Sequence, residues 1–150
     1  KQAEIKSWQA NLTPDRLRNG SIANGKSLFQ RSCASCHTLF GEGGSLGPPL
    51  DGGNRQNLYY LLENLIDPGA VLPQDYRMNV LTLKDGRVLS GKITAQSRHT
   101  ITIAGPNSSK VIPVSEIIEQ SQTEQSTMPE GLLQTMDERE VVDLIAYLQQ

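Results

Sequence analysis

Apolar residues recur with two different periods along the chain, and the change of period divides it. A weak helical pattern surrounds Ile5 and Trp8, and "TPDRLRNG" then reads as a short helix. Thr13 caps it, Pro14 takes the first helical position and Asn19-Gly20 stops it. A second helix starts near Ser21 and sets Ile22, Gly25, Phe29 and Cys33 on one face. The stretch "FGEGGSLGPPLDGG" follows, too rich in glycine and too broken by proline for regular structure to be expected. Leu58, Leu61, Leu62 and Leu65 next recur at i, i+3, i+4 and i+7, until Pro68-Gly69 ends that helix.

At about Tyr76 the period shortens. Residues 76–122 are rich in Val, Ile, Leu and Thr, with turn signals at Asp85-Gly86, Ser97-Arg98 and Gly105-Pro106-Asn107. That pattern predicts four or five short strands joined by tight hairpins, curling into a small barrel to hide their edges. Past Thr123 the helical period returns, with Val141, Leu144, Ile145 and Leu148 on one stripe and acids in the first turn, where the helix dipole favours them. The plan is helices, a β insertion and a closing helix.

Composition narrows the class. A chain of 150 residues suits one domain, or a small domain with an insertion, and buries a core without disulfides. One Trp, two Phe and four Tyr are few large rings for that interior, a shortage that an apolar cofactor or a leucine-rich core would offset. The net charge of −2 argues against a general nucleic-acid binder, and the β segment has no aromatics interleaved with its bases. No apolar run reaches membrane-spanning length. The opening "KQAEIKSWQ" has no signal-peptide pattern, so a mature form, a truncated chain or a domain of something larger is expected. Residues 76–122 hold six basic and three acidic side chains against eight and thirteen elsewhere. This imbalance suits steered docking with a redox partner, or simply a solvated barrel surface that resists edge-to-edge pairing.

Both cysteines of the chain fall in "CASCH", Cys33 to His37. Three chemistries compete for such a motif. A redox dithiol belongs between a strand and a helix, but a helix precedes Cys33. A zinc site needs four ligands, and the only other histidine is the distant His99. Covalent haem attachment needs what is present: two thiols for the porphyrin vinyl groups and a histidine alongside for the iron. The context favours haem.

The order helix, "CASCH", "GPPL", leucine helix, "MP" and final helix with "DLIAYL" resembles the class I cytochrome c fold. More narrowly, "GKSLFQRSCASCHTL", "LIDPGAVL", "DGRVLSGKI" and "STMPEGLLQTMDEREVVDLIAYL" resemble a family of bacterial c-type haem-binding domains. Those often stand at the carboxyl end of large, exported dehydrogenase-like proteins. The resemblance covers roughly residues 20–150. It implies a mainly α, cytochrome c-like fold with an inserted small SH3-like β-barrel, α+β overall. Residues 1–19 would be an extension or linker, 20–75 and 123–150 the haem-binding domain, and 76–122 the barrel.

It also implies roles. One haem c would be held by Cys33 and Cys36, with His37 on the iron and its second ring nitrogen on a carbonyl of the "GPP" turn, that of Pro48. Arg55 stands at the spacing of a haem-propionate partner, although an exposed arginine at a helix start reads equally well. Gly25 and Phe29 would meet Tyr147 or its neighbours where the first and last helices cross. Met128 in "STMPEG" is the expected sixth ligand, stiffened by Pro129. Its competitors have bland readings: Met78 on a strand face with Val80 and Thr82, Met136 packing at the last helix, and His99 in phase with Ile101 and Ile103. With both axial positions filled, the iron would shuttle single electrons to or from a redox partner protein or fused dehydrogenase domain, in an exported, periplasmic setting. The alternative is a small-gas sensor or weak peroxidase with a labile distal ligand. Oligomeric state is left open.

Overall fold

The computed structural model describes all 150 residues. The chain divides into two compact units, Lys1–Val71 with Pro129–Gln150, and Leu72–Met128.

The first unit is helical. α1 (Gln2–Asn11) packs on α4 (Leu58–Ile66), burying Ile5, while Leu12 closes off the end of α1. α2 (Pro14–Arg18) lies against α5 (Glu138–Leu148) and starts as its sequence predicts, with the Thr13 hydroxyl accepting the Arg16 N–H. Arg16 itself donates to the Asn11 carbonyl at 3.1 Å and pairs with Glu138 at 2.7 Å. Residues 1–19 are thus folded into this unit.

α3 (Ile22–Ser32) crosses α5 at Gly25, the one position where a side chain would strike the Asp143 carbonyl. Phe29 meets Tyr147 beside the crossing, with ring centroids 5.7 Å apart. Asp137 and Glu140 form a reciprocal capping box at the start of α5, which satisfies two of its orphan N–H groups. Buried Asp143 accepts the Ser21 N–H and the Asn24 side-chain amide, both at 2.7 Å. The carboxylate therefore sits at the amino end of α3, where the helix dipole favours it.

The glycine-rich stretch is not wholly irregular. β1 (Thr38–Leu39) and β2 (Glu42–Gly43) form a miniature antiparallel hairpin. Its two turn residues, Phe40 and Gly41, have φ of 51° and 79°, the positive pair a type I′ turn requires. Glycine is the usual occupant of such positions, so the sequence carried no signal for a phenylalanine there.

The second unit is an antiparallel sheet of β3 (Arg77–Leu83), β4 (Val88–Gln96), β5 (Thr100–Gly105), β6 (Ser108–Pro113) and β7 (Ile117–Ser126), in the order β6-β5-β4-β3-β7. The three anticipated turns join β3 to β6 in sequence. Leu81, Leu83, Ile101, Ile103 and Ile112 make its core, with Leu89, Ile93 and Ile117 packed beside them. The register aligns this face, pairing Leu81 with Leu89, Ile93 with Ile103 and Ile101 with Ile112.

Two parts of the expected fold are corrected. Helix makes up 37% of the residues and strand 28%, so the protein is not mainly α. The sheet is also not a closed SH3-like barrel: β6 and β7 are its two edges and no ladder joins them. The reason lies in what the edges carry. After Ile118, β7 reads Glu-Gln-Ser-Gln-Thr-Glu-Gln-Ser, mostly exposed, and β6 offers Lys110 and a terminal Pro113. Solvated charges and a proline blunt edges without closure. His99 is corrected as well. β5 begins one residue later, and His99 is exposed in the preceding turn rather than in the isoleucine row.

Candidate cofactor site

The last turn of α3 delivers the motif. Cys33 and Ala34 both donate their N–H groups to the Phe29 carbonyl, at 2.8 and 2.9 Å. The Cys33 carbonyl then accepts from Cys36 at 3.1 Å and from His37 at 2.9 Å. One tight turn thus gathers both thiols and the imidazole. Neither cysteine is in a disulfide. Cys33 is buried, and its thiol is pushed up to about 11, first by that burial and then by the neighbouring Cys36. The motif leaves a helix rather than a strand, which is not the setting expected of a redox dithiol. A metal site needs more than this turn supplies, and no group of three or more His, Cys, Asp and Glu side chains is placed to hold an ion.

A short ladder brackets His37 from the other side. Gly47 N–H donates to the Cys36 carbonyl at 2.7 Å, and Leu50 N–H to the Thr38 carbonyl at 2.9 Å. Between these rungs His37 Nδ1 lies 2.8 Å from the Pro48 carbonyl oxygen, and as the N–H tautomer donates to it. Phe40 N–H closes the ladder on Asp51 Oδ2 at 3.1 Å. Gly47 is pressed to the ring, so that a side chain there would stand 2.7 Å from His37 Cε1. The imidazole is therefore held by its Nδ1 edge and one face, and its Nε2 is left as the nitrogen with a lone pair for a metal. This is the orientation that a carbonyl partner imposes on metal-bound histidine.

Arg55 lies in the same unit but reaches elsewhere. Its Nη1 donates to the carbonyls of Leu148 and Gln150, both at 2.7 Å, and its guanidinium carbon stands 5.1 Å from the centre of the Phe40 ring. Its Nε is buried with no hydrogen-bond partner. Met128 is the last residue of the sheet unit, half-buried, with its N–H on the Ser126 hydroxyl at 3.0 Å. Met78 is half-buried in β3, and Met136 is buried just before α5. Phe40 and Asp51 carry no sequence signal for a role at the site. The side chain at Phe40 matters through contacts with Arg55 and Tyr147, which lie 15 and 107 positions further along the chain.

Two thiols on one turn and an imidazole fixed at Nδ1 with Nε2 free fit a haem bound through sulfur and iron. Comparison with known proteins agrees. Residues 22–80 match the cytochrome c family model. Over 50 residues the chain is 40% identical to the cytochrome bc1 complex cytochrome c subunit of Corynebacterium diphtheriae, a stretch that is 30% of this chain and 18% of that subunit. The chain thus spans less than a fifth of the relative's length. It carries a cytochrome c domain over residues 22–80, and its cofactor is a covalently bound haem c with iron.

Proposed function

We propose that this protein is a mono-haem c-type cytochrome domain that passes single electrons between partner proteins. A haem electron-transfer role follows from the cytochrome c domain; the residue assignments and the partners are our reading. The haem supplies the one-electron ferric–ferrous couple. Cys33 and Cys36 would form the thioethers, and His37 would bind iron through Nε2 with Nδ1 on the Pro48 carbonyl, a bond that makes the ring a stronger donor. Met128 would supply the second protein ligand of the iron, as the family resemblance implies, and a thioether favours the reduced state. Arg55 would pair with a haem propionate, a reading that rests on its spacing after the "GPPL" loop in the family resemblance, since a guanidinium suits a carboxylate. The His37–Pro48 contact carries the reading, because a ring engaged at Nδ1 has its Nε2 free for iron.

The partner is a redox protein, and a fused or docked dehydrogenase is the form suggested by the bacterial family resemblance. An exported, periplasmic setting is our reading of the same resemblance. No helix is long and apolar enough to cross a membrane.

The test is to mature the chain in an export-competent bacterial host and record its intact mass and spectra. One added tetrapyrrole and a low-spin ferric spectrum with a sulfur-to-iron charge-transfer band are expected. Bare polypeptide overturns the haem assignment. A high-spin spectrum that shifts with carbon monoxide or cyanide replaces the electron carrier with a ligand sensor.

A further inference from the structure

The backbone of the "CASCH" turn is engaged along its whole length. The Cys33 carbonyl accepts from Cys36 and His37, that of Cys36 from Gly47, and that of Ala34 from the Gly44 N–H at 2.7 Å. The carbonyls of Ser35 and His37 lie against two consecutive glycines. A side chain at Gly43 would overlap the His37 carbonyl oxygen, and one at Gly44 would stand 2.6 Å from that of Ser35. Only glycine allows so close an approach, and Gly43 also has a φ of 113°, which side chains rarely permit. Side chains fasten this pair in place. The Thr38 hydroxyl donates to the Gly44 carbonyl at 2.8 Å, and the adjoining Glu42 accepts from Gln30 of α3 at 3.2 Å and pairs with Lys26 at 3.5 Å. The imidazole is held from elsewhere, by Gly47 and Pro48. What Gly44 touches is the backbone between the two thiols.

We propose that Gly43 and Gly44 are positioning residues for haem attachment: their backbone fixes the Ala34–Ser35 segment and with it the spacing of the Cys33 and Cys36 sulfurs. The inference rests on the assignment of both cysteines to the haem and goes beyond it by naming what holds them at the right separation. Each thiol adds across one vinyl group, its sulfur bonding to one carbon and its hydrogen going to the other, so no oxidant or reductant is consumed. The two vinyl groups stand on one rigid macrocycle. A turn that shifts therefore leaves one sulfur short of its carbon.

The test is to mature variants in an export-competent bacterial host and read the unfolded holoprotein in alkaline pyridine. There the ferrous absorption maximum moves to longer wavelength when one vinyl group stays unsaturated, and Cys36→Ala supplies that reference signal. Gly44 has no positive φ, so Gly44→Ala adds only the clash with the turn. Gly41→Ala is the control: its φ of 79° strains the same hairpin, but a side chain there meets nothing. Gly43→Ala and Gly44→Ala are expected to lose doubly attached haem and to shift towards the Cys36→Ala signal, while Gly41→Ala reads as the parent does. Full double attachment in Gly44→Ala overturns the inference. Equal loss in Gly41→Ala and Gly44→Ala overturns it too, since hairpin stability and not the contact would then be responsible. A Cys36→Ala protein with the parent maximum overturns the cysteine assignment itself. Where Gly44→Ala yields no holoprotein, Thr38→Val, which frees the Gly44 carbonyl without adding bulk, is read in its place under the same outcomes.

Discussion

Tyr147 of α5 occupies the space that a side chain at Gly25 of α3 would need: a methyl group built there would stand 2.6 Å from the Tyr147 Cβ and still closer to the Asp143 carbonyl. The two helices touch backbone to backbone at this point. Gly25→Ala is therefore expected to destabilise the protein by about 1–3 kcal/mol, despite the better helix propensity of alanine, because overpacking must push the helices apart. Thermal unfolding of the haem-loaded protein measures it. An unchanged melting temperature would mean that the helices separate without cost.

Asp143 makes a different demand on the same pair of helices. Its carboxylate is 2% exposed and is the acceptor for the Ser21 N–H and the Asn24 amide. Asp143→Ala leaves two donors without a partner, and hydrogen bonds to a charged group are each worth about 1.5–3 kcal/mol. A loss of at least that size is expected in chemical denaturation, with fraying of the first turn of α3 visible as faster amide exchange at Ser21 to Gly25.

The ring of His37 depends on a glycine too. Gly47→Ala sets a methyl group 2.7 Å from Cε1, so the ring must rotate or the loop must retreat from it. Either change strains the 2.8 Å contact with Pro48. The expected result is a lower yield of holoprotein and an altered ferrous spectrum, with Gly52→Ala as the control, since a side chain there meets nothing.

Met128→Ala is expected to lower the potential and to let added cyanide or carbon monoxide reach the iron, while His99→Ala leaves the haem spectrum as it was. His99 stands exposed in the β4–β5 turn. An unaltered spectrum for Met128→Ala would remove this residue from the iron.

Local signals account for what the sequence made legible. Thr13, Pro14 and Ser21 mark helix starts through caps that act within three residues, and the observed bonds to Arg16 and Asn24 are those caps. The leucines of α4 and the turns of the sheet are short-range patterns of the same kind. The meeting of Gly25, Phe29 and Tyr147 came from the family resemblance, since no local rule links residues so far apart. The hairpin at Phe40 escaped notice because strands of two residues leave no alternation to read. His99 was misjudged by phase alone, as a period of two says nothing about where a strand begins. The open edges of the sheet, the carbonyls taken by Arg55 and the donors gathered by Asp143 join residues dozens to more than a hundred positions apart. Such pairings are decided by which surfaces remain to be covered, not by neighbours in the chain.

The interruption of the helical unit by Leu72–Met128 has a consequence for how the protein is made. α5, which supplies Val141, Leu144 and Ile145 to the interior, follows the whole sheet in the chain and so emerges on the far side of the membrane only after it, if the protein is exported amino end first. At equilibrium the detour costs little, since doubling a loop adds only about 0.6 kcal/mol of closure entropy. In time it costs more: α3 must wait, half-covered, for a partner from the far end of the chain. During that wait the turn bearing Cys33, Cys36 and His37 is not yet walled in, which is when an attachment enzyme would find it easiest to reach.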